Sequence, residues 1–102
     1  MPTPQYILAI DLGTSGPKVA LVAADGRLAA RAVRAVPTQT IPPHGSEQDA
    51  DLIWQAVLSA AQEVLHTADV PRSAVHGIIC DSHYFSLIPL QEWYLSHHHQ
   101  QY

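Results

Sequence analysis

The chain has 102 residues, 47% of them hydrophobic and 14% charged, enough for one small globular domain and no more. Five basic and nine acidic residues leave a net charge of −4 with histidine neutral, which speaks against nucleic acid as a partner. No apolar run is long enough to span a membrane, residues 1–5 (MPTPQ) lack the charge of a secretory signal, and the lone Cys80 excludes an intramolecular disulfide, so a cytoplasmic location is expected.

Tyr6–Ile10 is a short apolar run, too short for a typical helix and right for a buried strand. It ends in Asp11. Gly13, Thr14, Ser15 and Gly16 then form a small polar turn before the apolar run Val19–Ala23. On the residues alone this strand–turn–strand has two readings. One is a plain hairpin. The other is a phosphate site, because glycines let the backbone approach an anion and successive N–H groups can form an anion-binding nest. In that reading Asp11 holds a hydrated Mg²⁺ and Lys18 meets phosphate oxygens as a point charge. Neither of the common glycine-rich nucleotide signatures, G-x-x-x-x-G-K-[ST] and G-x-G-x-x-G, occurs here.

Asp25-Gly26 is a two-residue turn signal, which makes Val19–Ala23 and Leu28–Val36 antiparallel neighbours. In the second run Leu28, Ala30 and Ala32 alternate with Arg27, Ala29 and Arg31, as in a strand with one wetter face. Arg31 and Arg34 read as solvated charges. Pro37–Gly45 carries three prolines and a glycine in nine residues and reads as a loop. Asp49 is a good N-cap for a helix running to about His66, with Glu47 and Asp51 near the positive end of its dipole. Ile53, Trp54, Val57, Leu58, Ala61, Val64 and Leu65 form its apolar face, and Pro71 falls beyond its end.

Val75–Cys80 is the next apolar run, expected as a strand parallel to the first because a helix intervenes. Asp81, Ser82, His83 and Tyr84 form a polar cluster at its carboxyl end, where α/β sheets bind ligands. Phe85–Leu90 reads as a further strand. Gln91–Tyr102 has no clean period; its adjacent His97, His98 and His99 have poor spacing for one metal, and a frayed tail is expected. The order is therefore three antiparallel strands, a helix and a fourth strand, an α/β class with a mixed sheet.

In this order YILAIDLGTSGPKVALVAADG, GSEQDADLIWQAV and VHGIICDSHYFSLIPL resemble the beginning of an FGGY-family carbohydrate kinase, across roughly Tyr6–Leu90. Asp-x-Gly-Thr is shared with other actin-like ATPases; Glu47-Gln48-Asp49 before a helix carrying Trp54 is what makes the resemblance specific. It implies an incomplete ribonuclease-H-like (actin-like ATPase) domain over residues 1–90, with 91–102 as a divergent tail. It implies ATP and Mg²⁺ as cofactors and a small-molecule sugar or polyol as substrate, with neither nucleic acid nor membrane as partner. By position Asp11 resembles the Mg²⁺-associated aspartate, and Gly13, Thr14 and Ser15 the turn facing the terminal phosphate. Lys18 falls where Lys or Arg is usual. Asp81, Ser82 and His83 fall where relatives contact the sugar; His83 matches the histidine of the xylulokinase Gln-Met-His, while Asp81, Ser82 and Tyr84 depart from that pattern. Glu47-Gln48-Asp49 is expected to be mainly structural.

The reaction implied is transfer of the ATP γ-phosphate to a sugar or polyol hydroxyl, which needs positioning, charge neutralisation and a base. By the same resemblance the base and the nucleotide pocket belong to later parts of such kinases, so this chain is expected to be inactive alone. Two alternatives remain: a short non-catalytic binding protein, pairing an open sheet edge with a chain that carries the remainder of the kinase, and an actin-like ATPase of another kind.

Overall fold

A computed structural model describes residues 4–82. Among these residues six strands and one long helix follow in the order β1 (Tyr6–Gly13), β2 (Gly16–Ala23), β3 (Leu28–Val33), β4 (Gln39–Ile41), β5 (Gly45–Glu47), α1 (Ala50–Ala68) and β6 (Val75–Asp81). A 3-10 turn at Arg72–Ala74 leads into β6. The main sheet is mixed, in the order β3-β2-β1-β6, and β4 and β5 make a separate hairpin. β2 runs antiparallel to β1 and β3, while β6 runs parallel to β1, as the intervening helix requires.

Side-chain alternation gives the sheet two unlike faces. Leu8, Val19, Leu21 and Ala32 point to one side, where Ala60 and Val64 of α1 close the core. The helix lies over β2 and β3. Asp11, Lys18, Ala20 and Arg31 belong to the opposite face, which no described helix covers.

The ends of α1 follow from its sequence. The Asp49 carboxylate accepts the Asp51 N–H at 2.8 Å, capping the first turn as expected. The helix runs two residues past His66 and ends in a Schellman motif. Asp69 stands in the left-handed region (φ 54°), its N–H donates to His66 O, and the Val70 N–H donates to Leu65 O. Val70 and Leu65 both pack at the margin of the core. The buried helix positions are Val57, Ala60 and Val64. Two expected core residues are instead on the surface: Trp54 is 61% exposed and Leu58 42%. The buried stripe is shifted from the periodic pattern, since Ala60, outside the expected face, is fully buried against the sheet.

Two further expectations are corrected. Pro37–Gly45 is not all loop, since Gln39 pairs with Glu47, Thr40 with Ser46 and Ile41 with Gly45. Its prolines flank the pairing: Pro37 precedes β4, and Pro42 and Pro43 sit in the connecting turn, where no ladder donor is needed. The third strand stops at Val33, three residues early. The chain stays beside β2 through irregular bonds, from Arg34 N–H to Pro17 O at 3.0 Å and from Val36 N–H to Ser15 O at 2.9 Å. Arg34 is also not a free charge: its guanidinium pairs with Glu63 Oε1 at 2.7 Å and donates to Ser59 Oγ, tying this segment to α1.

Candidate functional site

The register of the sheet brings the charged residues together. Ala9 of β1 sits between Ala20 of β2 and Ile79 of β6, and Ala20 is followed across β3 by Arg31. In the next row on the same face Asp11 sits between Lys18 and Asp81. The two alanines leave low ground in the middle of the uncovered face, and the long side chains stand around it. The result is a shallow trough of about 330 Å³ lined by Asp11, Lys18, Arg31 and Asp81, with Ala9, Ala20 and Ile79 as its floor. Asp11, Lys18, Arg31 and Asp81 are all exposed. Among the described residues none of the four makes an ion pair, so their charges remain available to a ligand.

The turn expected to face phosphate lies just beyond Asp11. β1 and β2 close on the pair Gly13–Gly16, with Thr14 and Ser15 between them and both exposed. Gly16 is indispensable there. Its φ is +138°, and a Cβ on it would lie 2.0 Å from the Arg34 carbonyl oxygen. The close approach of residues 34–36 leaves no room for any side chain. Ser15 O accepts from Val36 N–H, and Thr14 O accepts from Gln48 Nε2 at 2.8 Å. The same Gln48 nitrogen donates to Val36 O at 3.1 Å.

Of the residues singled out from sequence, Asp11, Lys18 and Asp81 thus share one trough, and Gly13, Thr14 and Ser15 form the adjoining turn. Asp81 is the last residue of β6, and its Oδ1 accepts the Ser82 N–H at 2.9 Å. His83, the expected strand Phe85–Leu90 and the tail 91–102 lie outside the described residues. Two residues of this region carry no signal of their placement in the sequence. Arg31 has the pattern of a solvated charge, and its place in the trough emerges only from its register with Ala20. Gln48 sits in a segment that reads as structural, with nothing local to point to Thr14, 34 residues away.

The chain belongs to the FGGY family of carbohydrate kinases: the N-terminal domain of that family matches residues 6–92. It is 45% identical over 74 residues to a glycerol kinase of Xanthobacter autotrophicus, covering 72% of this chain and 15% of that protein. It is 44% identical over 72 residues to an apulose kinase of Pectobacterium atrosepticum, covering 71% of this chain and 14% of the other. The crystal structure of gluconate kinase from Lactobacillus acidophilus superposes with a TM-score of 0.65 at 24% identity, covering 74% of this chain and 15% of that one. The fold is thus the start of an FGGY N-terminal domain, α/β with a mixed sheet, as the resemblance had implied. The chain spans about 15% of the length of the relatives it matches. No helix among the described residues is long and apolar enough to cross a membrane.

Proposed function

We propose that this chain supplies the phosphate-facing corner of a cytoplasmic carbohydrate kinase that transfers the ATP γ-phosphate to a sugar or polyol hydroxyl. The observation that carries this reading is the trough on the uncovered face, where Asp11, Lys18, Arg31 and Asp81 gather beside the Thr14–Ser15 turn. Its donor set fits the groups such a reaction brings. Asp11 is an exposed carboxylate of the kind that holds Mg²⁺ through one or two oxygens while the ion keeps several waters. When bound, that ion would supply neutralisation of phosphate charge. Lys18 and Arg31 would meet phosphate oxygens, Arg31 with a planar fork and Lys18 as a point charge. The N–H groups of Thr14 and Ser15 would complete the cradle. Asp81, Ser82 and His83 would line the sugar side, accepting or donating to hydroxyls. The proton acceptor and the adenine pocket would come from later parts of such kinases, so the chain alone binds but does not turn over.

The test is a titration of the chain with ATP, with and without Mg²⁺, followed by amide chemical shifts. Saturable, Mg²⁺-dependent shifts centred on residues 11–18 are expected, with no sugar phosphate formed when glycerol or a pentose is added. An absence of saturable shifts at those residues would overturn the phosphate reading, and turnover by the chain alone would overturn its dependence on the rest of the kinase.

A second reading rests on β6, an edge strand whose Ile78 and Ile79 are 65% and 61% exposed. Such an edge offers unpaired backbone groups and apolar side chains to another chain. The protein would then act as a pairing module, its partner a chain that carries the remainder of the kinase.

A further inference from the structure

We infer that Gln48 is the pin that sets the shape of the Thr14–Ser15 turn, and so a positioning residue for whatever anion that turn receives; the second half of this statement rests on the phosphate reading above. The turn is a two-residue connection between antiparallel strands and has no side chain of its own that fixes it. Its two carbonyls are instead bound from outside. Ser15 O accepts the Val36 N–H at 2.9 Å, and Thr14 O accepts Gln48 Nε2 at 2.8 Å. Gln48 also donates to Val36 O at 3.1 Å, so one carboxamide holds both the turn and the segment that braces it.

Both N–H bonds of the amide are used, and both acceptors are backbone oxygens. That bridge has a directional consequence. With Thr14 O bonded inward, the Ser15 N–H of the same planar peptide faces the other way, and neither the Thr14 nor the Ser15 N–H takes part in the turn and loop hydrogen bonds of the described residues. Gln48 is only partly exposed, so its bonds compete less with water than those of a surface side chain would. It also stands immediately before the Asp49 cap of α1. The position of the helix start is therefore transmitted to the turn through one side chain.

The substitution that probes this is Gln48→Glu, which keeps the length and removes both donors, leaving a carboxylate against two carbonyl oxygens. Gln48→Lys restores donors at similar reach. Amide hydrogen exchange of the full chain separates a local from a global effect. Val36 N–H reports the brace, and Leu21 N–H, in the buried centre of β2, reports the whole fold. In Gln48→Glu the Val36 amide is expected to exchange at least tenfold faster while Leu21 changes less than threefold, and Mg-ATP is expected to bind at least tenfold more weakly. Gln48→Lys should recover most of both. Equal acceleration at Val36 and Leu21 in Gln48→Glu, with no recovery in Gln48→Lys, would reduce Gln48 to a general stability residue and overturn the inference. So would unchanged Val36 exchange. A chain in which Val36 is selectively loosened, but which binds no Mg-ATP in any form, would uphold the pin and remove the phosphate reading.

Discussion

Gly16 bears the tightest constraint of any residue in the site. Its positive φ and the 2.0 Å that would separate an added Cβ from Arg34 O combine a backbone preference with a direct clash. Gly16→Ala should cost ~3 kcal/mol, of the order of a strained backbone position plus displacement of the neighbouring segment 34–36. Urea unfolding would read this directly, and a loss below about 0.5 kcal/mol would show that residues 34–36 can yield. Asp11 is the opposite case: it is exposed and makes no ion pair among the described residues, so Asp11→Asn should leave the urea midpoint unchanged. Its expected effect is on the ligand, a loss of at least tenfold in Mg²⁺-dependent ATP affinity measured by calorimetry, equivalent to about 1.4 kcal/mol. That Asp11, Lys18 and the turn residues lie close together was legible in sequence, because they fall within one short strand–turn–strand. The positions of Arg31 and Gln48 were not, because each is set by a partner far along the chain, Arg31 through sheet register and Gln48 through a side-chain bond across 34 residues.

The elements were more legible than the side chains within them. β1, β2, α1 and β6 are where apolar runs, the Asp49 cap and Pro71 put them. β4 and β5 were hidden because three-residue strands among prolines have no periodicity to detect. The helix shows where pattern and packing part company. Trp54 fits the apolar stripe by spacing yet stands in solvent, whereas Ala60, which the stripe left out, is fully buried against the sheet. Deleting Val64 to alanine removes buried methyl groups at 0% exposure and should cost ~2 kcal/mol. Trp54→Ala should stay within about 0.5 kcal/mol, as for surface positions in general. Denaturant melts of the two variants would test the seam, and a reversed order would mean that α1 is rotated about its axis.

Among the described residues the sheet is covered on one face only. α1 covers β2 and β3, while β6 forms an edge with Ile78 and Ile79 in solvent. In the isolated chain this edge should drive association: light scattering at micromolar concentration is expected to give a mass above that of one chain. Replacing Ile78 and Ile79 by lysine should return it toward a single copy. A monodisperse single copy of the unaltered chain with a cooperative thermal transition would show that the edge is protected. The overall architecture was legible in the residues because strand order and helix placement obey local signals and a handedness rule. The apolar margin at β6 was not, because it follows from what lies beside the strand in space.

The alternation of the strands also divides labour by parity. In β1 the even positions Leu8 and Ile10 serve the core, while the odd positions Ala9 and Asp11 serve the trough. In β2 the assignment is reversed, with Val19 and Leu21 inward and Lys18 and Ala20 outward. Substitution can therefore rewrite the chemistry of one set of positions without disturbing the other, and a lineage can retune its ligand while the core stays fixed. Length enjoys no such freedom. One residue inserted between Tyr6 and Ile10 would exchange the two sets, carrying a carboxylate into the seam against α1 and an isoleucine into the trough. In this sheet the spacing between residues is constrained more tightly than the residue types of either set.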